Sequence, residues 1–180
     1  MPGKRGAPPV IAKKIIAYSG AHGTGKSTAV LSAALRLKRE ENIEAGIIRE
    51  VARQCPYPIV GAKSRTTAEA QHWMFVKQMH LELKLSEAFE VVLSDRSVVD
   101  YIAYSSAAGY HDMAYAQLCM ARHHVALGIY KEIRFHGVDD FSFLEPDGVR
   151  DLSPALQAEV QARMLELYAE LGITVTRCAP

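Results

Sequence analysis

The 180-residue sequence lacks long hydrophobic runs, and its first residues do not form a signal peptide. No apolar stretch approaches the roughly 20 residues of a membrane-spanning helix. The short apolar stretch that follows the basic N-terminus is interrupted by Lys13 and Lys14, which argues against secretion. We therefore expect no membrane partner, and we interpret residues 1–10 as a flexible tail.

The sequence also has few cysteines and almost no net charge. The three cysteines, Cys55, Cys119 and Cys178, lack the paired spacing of a zinc site and are interpreted as reduced thiols of a cytoplasmic protein. The formal net charge is only +1, so the chain has no overall attraction for nucleic acid or an anionic membrane. Any anion-binding site must therefore be local.

What the sequence does contain is an alternation of strand-like and helical segments over residues 11–180, which we interpret as one domain. This alternation implies right-handed crossovers and a parallel sheet covered on both faces, which is a three-layer α/β fold. Thr66 and Glu69 have the spacing of a capping box at the start of the longest helix. The expected strands are Ile11–Ser19, Glu44–Val51, Val91–Leu93, Tyr130–His136 and Ile173–Thr176, and the expected helices are Ser27–Glu40, Thr66–Phe89, Ser97–Ala108, Met113–Leu127 and Pro154–Leu171.

A glycine-rich segment, Gly20-Ala21-His22-Gly23-Thr24-Gly25-Lys26-Ser27, lies between the first strand and the first helix. Its glycines allow successive backbone N–H groups to face a phosphate beside a helix N-terminus. Lys26 can reach the β- and γ-phosphates, and the Ser27 hydroxyl can bind Mg²⁺. This P-loop pattern predicts an ATP site. The residues expected to form it are Gly20, His22, Gly23, Thr24, Gly25, Lys26, Ser27 and Thr28.

Charged residues follow two further strands, at the sheet edge where open α/β proteins bind ligands. Asp95 can hold Mg²⁺, or it can cap the helix near Ser97. Arg96 can contact a phosphoryl group or pair with a carboxylate. Glu50 can accept a proton from an attacking hydroxyl, or it can form a solvated pair with Arg49.

Two further elements are candidates for substrate contacts. The polar segment over residues 137–153 is typical of a mobile loop, in which Arg150 can close over ATP or lie in a solvated turn. On the long helix, Trp73 and Gln78 can hold a planar base. Aromatic residues on such helices more often belong to the core, so that alternative stays open.

Four motifs occur in the order found in P-loop nucleoside and nucleotide kinases: Gly20–Ser27, Arg49–Arg53, Ser94–Ser97 and Asp147–Arg150. The chain resembles most the nicotinamide riboside kinase-like ATPases, and more broadly the deoxynucleoside and thymidylate kinases. The resemblance implies a five-stranded parallel sheet in the order 2-3-1-4-5. It also implies that Glu50 is a base or acceptor ligand, that Arg96 supports the phosphates, and that Arg150 belongs to a lid at about 137–153.

These observations together predict a phosphotransferase that moves the γ-phosphoryl group of ATP to a nucleoside or nucleoside monophosphate with Mg²⁺. The expected catalytic residues are Lys26, Glu50, Asp95, Arg96 and Arg150, with Ser27 and Asp95 as metal ligands. A regulatory ATP-binding module without a small-molecule acceptor is the alternative. A polynucleotide 5′-kinase is disfavoured because the near-neutral chain offers no basic track for a nucleic-acid backbone.

Overall fold

The computed structural model describes residues 14–59, 66–139 and 153–178. Within them, five parallel strands form one sheet in the order β2-β3-β1-β4-β5, which confirms the predicted α/β fold and strand order. The strands are β1 Ile15–Ser19, β2 Gly46–Ile48, β3 Val92–Asp95, β4 Tyr130–Phe135 and β5 Val175–Arg177. The α-helices are α1 Lys26–Arg36, α2 Ala68–Ala88, α3 Val98–Ala107, α4 His111–Ala126 and α5 Pro154–Glu170.

The central strand β1 is buried on both faces, which explains its continuous run of apolar residues. Successive side chains of a strand point to opposite faces. Accordingly, Ile15 and Ala17 belong to the larger core, which is formed with residues of α2, α3, α4 and α5. Ile16 and Tyr18 belong to a smaller core beneath α1. The sheet therefore has helices on both faces, and the carboxyl ends of its strands meet at one edge.

The N-caps of α2 and α3 lie at other residues than the cap candidates Thr66 and Asp95. The N-cap of α2 is Thr67, whose hydroxyl accepts a hydrogen bond from the N–H of Ala70, so the expected capping box at Thr66 is wrong by one residue. Only Thr66 has an acidic residue three positions later, but the helix begins one residue further on, where Thr67 caps it through its hydroxyl alone. The capping box is found instead at the start of α3, between Ser97 and Asp100. Asp95 is therefore not the cap of that helix.

Two further observations concern membrane-spanning helices and cysteines. In this part of the chain, no helix combines the length and the apolar character needed to cross a bilayer. The three cysteines are free thiols, and each is partly buried.

Candidate active site

The glycine-rich segment forms a tight loop between β1 and α1. Gly20, Gly23 and Gly25 have φ angles of 144°, 74° and 72°. At Gly20 a side chain is also excluded by space, because a Cβ there would lie 2.3 Å from the carbonyl oxygen of His136. Gly25 is the N-cap of α1 and provides no side-chain cap, so the first N–H groups of the helix face the loop. This arrangement suits a phosphate group.

Lys26 lies inside this loop and is only 5% exposed. Its ammonium group donates to the carbonyl oxygen of Ala21 and to Oγ1 of Thr24, the latter at 3.0 Å. Burial, together with the positive charge of Arg96, lowers the pKa of Lys26 to about 8. The charged form of Lys26 therefore raises the free energy of the folded protein, and a bound anion would offset this cost.

Ser27 and Asp95, the predicted metal ligands, are in direct contact. The Ser27 hydroxyl donates to Oδ2 of Asp95. Burial raises the pKa of Asp95, which is 3% exposed. A hydroxyl and a carboxylate are oxygen ligands of the kind that Mg²⁺ prefers, and this ion commonly uses one or two protein groups together with substrate phosphates. Among the described residues, no larger group of histidine, cysteine and acidic side chains is suited to a metal.

Arg96 follows Asp95 and is held in an unusual conformation. Its φ angle is 91°, and its N–H donates to the carbonyl oxygen of Tyr18 at 3.0 Å. Its guanidinium donates to Oε1 of Glu50 at 3.0 Å, lies 3.6 Å from Oδ1 of Asp100, and covers the ring of Tyr104 with Cζ 5.1 Å from the centroid. The Glu50 side chain is 11% exposed, so its partnership with Arg96 is a largely buried contact and not a solvated pair.

Asp100 is a site residue that sequence reasoning missed. Its fully buried carboxylate accepts hydrogen bonds from the Ser19 hydroxyl at 2.9 Å, from the Gly20 N–H at 3.3 Å and from the Ser97 N–H at 2.9 Å. Asp100 thereby joins the start of the phosphate loop to α3 and to Arg96. The spacing Ser97-Val98-Val99-Asp100 is a capping pattern and was the signal available in the sequence.

Two cavities meet at this site. A cleft of about 740 Å³ lies over the phosphate loop, and a smaller cavity of about 70 Å³ lies beside it. The shared lining residues are His22, Glu50 and Arg96. The cleft also contains the predicted residues Gly23, Thr24, Gly25, Lys26, Ser27, Thr28 and Asp95, and the smaller cavity contains Ala52, Ile59, Gln71, Met74, Tyr101 and Tyr104.

The structure places Trp73 and Gln78 differently from the prediction that they contact a substrate. Trp73 is partly buried against the larger core, and Gln78 is fully buried with its amide hydrogen-bonded inside the protein. Neither side chain lines the two cavities, whereas Gln71 and Met74 of the same helix do. Gln78 lies seven residues beyond Gln71, or about 10 Å along the helix. The assignment of Gln78 as a base contact is accordingly revised.

Arg150 and most of the predicted lid at 137–153 lie outside the described residues. The role of Arg150 therefore stays a prediction.

A family model described as an AAA domain matches residues 15–180. The chain belongs to this AAA-domain family. A search of curated protein sequences finds no match. The family assignment thus rests on a match that includes the phosphate loop and the whole described sheet.

Solved structures with the same fold include three nucleotide-binding proteins. NadR in complex with NAD and AMP-PNP has a TM-score of 0.66 and 17% identity, over 93% of this chain and 45% of NadR. Thymidylate kinase from Ehrlichia chaffeensis has a TM-score of 0.61 and 14% identity, over 93% and 87% of the two chains. Deoxyadenosine kinase from M. mycoides has a TM-score of 0.59 and 15% identity, over 92% and 89%. This AAA-domain chain thus shares the fold of P-loop nucleotide kinases, and it spans less than half the length of NadR.

Proposed function

We propose that this protein transfers the γ-phosphoryl group of ATP to a small acceptor, either a hydroxyl of a nucleoside or a nucleoside monophosphate. The observation that carries this proposal is that Glu50 and Arg96 border both the large cleft and the small cavity. A carboxylate and a guanidinium therefore lie where a bound donor and a bound acceptor would meet. NadR, which has a similar fold, binds AMP-PNP, and this supports a nucleotide donor.

The donor end of the site follows from the phosphate loop. Its backbone N–H groups and Lys26 would hold the phosphates of ATP, and Ser27 with Asp95 would hold Mg²⁺. The metal ion supplies neutralisation of negative charge on the phosphates. Lys26 is positioned to contribute a further positive charge from within the loop. We also propose Arg150 as a residue that closes over this end.

The acceptor end depends on Glu50. Its Oε1 accepts a hydrogen bond from Arg96, and its Oε2 lies 3.2 Å from Nε of Arg53, so both oxygens have fixed positions. A carboxylate held in this way can accept a proton from an attacking hydroxyl. Arg96 is hydrogen-bonded to the same carboxylate and also lines the large cleft, where it can stabilise charge that develops during transfer. Glu50 would then act on the attacking hydroxyl, and Arg96 on the phosphoryl group that is transferred.

Substitution of Glu50 by glutamine tests this assignment, because glutamine keeps the shape and loses the proton acceptor. With a nucleoside acceptor, Glu50→Gln should lower kcat by about 10²- to 10⁴-fold. A monophosphate whose phosphate is the attacking group is already ionised and should be much less affected. The measurement is ADP release with each acceptor. Glu87→Gln, on the exposed face of α2, is the matched control and should behave as wild type.

Two results would contradict the proposal in different ways. Full activity of Glu50→Gln on a nucleoside would remove Glu50 from its role as a base. If no nucleoside or monophosphate accelerates ADP release by the wild-type protein, a regulatory ATP-binding module becomes the better account.

A further inference from the structure

A group of buried polar side chains lies away from both cavities. It is centred on Glu82, which is 0% exposed. The carboxylate accepts hydrogen bonds from the Gln78 amide at 2.8 Å and from the Tyr130 hydroxyl at 2.7 and 2.9 Å. It also lies 2.6 Å from Nε2 of His124. Gln78 and Glu82 are one turn apart on α2, whereas His124 of α4 and Tyr130 of β4 are distant in the sequence.

Gln78 connects this group to the main chain of Arg96. The same amide nitrogen lies 2.9 Å from Oγ of Ser94 and 3.1 Å from the carbonyl oxygen of Arg96. The Ser94 hydroxyl donates to that carbonyl oxygen as well, at 2.7 Å. Since the Arg96 N–H is bonded to Tyr18, both backbone polar groups of Arg96 are fixed.

The conformation that is fixed in this way is a strained one. Arg96 has a φ of 91°, which side-chain-bearing residues adopt rarely and only where surrounding contacts enforce it. This backbone geometry is the one in which the guanidinium reaches Glu50 at the junction of the two cavities. A different φ at Arg96 would redirect its side chain away from that junction.

We propose that Gln78, anchored by Glu82, is a positioning residue that holds Arg96 in its working conformation. A buried charged group together with its partners can often be replaced by apolar side chains of similar volume without loss of stability, so the burial of Glu82 and its partners is not by itself evidence of a stabilising role. Buried hydrogen bonds between distant segments do fix one geometry, and here the Gln78 amide nitrogen and the Ser94 hydroxyl both donate to the Arg96 carbonyl oxygen. The effect on catalysis rests on the proposed phosphoryl transfer, whereas the effect on the geometry of Arg96 does not.

The kinetic test is a double-mutant cycle. Gln78→Leu should lower kcat by about tenfold to a hundredfold, as expected for a displaced catalytic group, with the KM for ATP unchanged. In an Arg96→Ala background, the same change should leave kcat unaltered, because the group that it positions is gone. Ser86→Ala, at a buried polar residue of the same helix α2 that lines neither cavity, is the control and should keep wild-type kinetics. An equal loss of kcat in both backgrounds would overturn the proposal.

Crystal structures of variants test the positioning role of Gln78 independently of the phosphoryl-transfer reaction. Crystal structures of Gln78→Leu and of the milder Ser94→Ala should show Arg96 leaving the positive-φ region and losing its hydrogen bond to Glu50. An unchanged φ and an unchanged contact in both variants would overturn the proposal. If the wild-type protein transfers phosphate to no acceptor, the proposed function fails, and the crystal structures still decide the role of Gln78.

Discussion

Replacement of Lys26 by methionine should abolish ATP turnover and, at the same time, stabilise the protein. Burial, with the charge of Arg96, lowers the pKa of Lys26 from 10.5 to about 8, which corresponds to a cost of about 3 kcal/mol for the charged form at neutral pH. Methionine has a similar length and no charge. It forfeits the hydrogen bonds to the Ala21 carbonyl oxygen and to Thr24, but the Thr24 hydroxyl still donates to that carbonyl oxygen at 3.0 Å, so the loss is about 1 kcal/mol.

The net gain for Lys26→Met is therefore about 2 kcal/mol at pH 7, or about 4 to 8 °C in Tm for a chain of this size. The gain should depend on pH. Between pH 8 and 10.5 the unfolded protein still binds the lysine proton while the folded protein has released it, so the free energy of unfolding of wild type rises with pH. By pH 10 the advantage of the variant should shrink by about 2 to 3 kcal/mol.

Urea unfolding of the ATP-free protein at pH 7 and pH 10 measures both quantities. Lys84→Met, on the exposed face of α2, is the control and should show no such pH-dependent difference from wild type. The reasoning is refuted if Lys26→Met is less stable than wild type at pH 7. It is also refuted if the difference between the two proteins is the same at both pH values.

Two other substitutions test the donor end. Gly20→Ala should lower the free energy of unfolding by more than about 1 kcal/mol, because Gly20 has a φ of 144° and an added Cβ would clash with the His136 carbonyl oxygen. Urea unfolding measures this loss. A variant as stable as wild type would contradict the described conformation of the loop. Asp95→Asn should raise the Mg²⁺ concentration needed for half-maximal ATP turnover by about tenfold, since a charged ligand becomes neutral. An unchanged Mg²⁺ titration would show that Asp95 does not bind the ion.

The elements that could be predicted from the sequence are those whose physical cause is local. The run from Ile15 to Ser19 is apolar because β1 is buried on both faces, and it was recognised as a strand for that reason. The glycine-rich loop is recognisable because a P-loop contacts phosphate through backbone groups and so requires glycine at fixed positions. The proximity of Glu50 and Arg96 is predictable because a parallel sheet brings strand ends together, whereas their roles stay predictions.

The parts that were missed depend on contacts between distant segments. Gln78 looked like a substrate contact because glutamine can bind a base, but its partners are the side chains of Glu82 and Ser94 and the main chain of Arg96. His124 showed no ligand or partner in the sequence, and its partner is Glu82, which lies 42 positions earlier. No periodicity or motif in the sequence predicts a contact between these two residues.

This difference explains why the proposed donor is easier to identify than the proposed acceptor. P-loops hold phosphates through main-chain groups, whose geometry leaves a glycine signature in any sequence that forms the loop. The small cavity is lined by side chains from α2 and α3 and from the segment that follows β2, among them Gln71, Met74 and Tyr101. Side chains of that kind can vary without altering the fold. Under the proposed function, the acceptor is best identified by measuring which molecule binds in this cavity, with Glu50 and Arg96 intact.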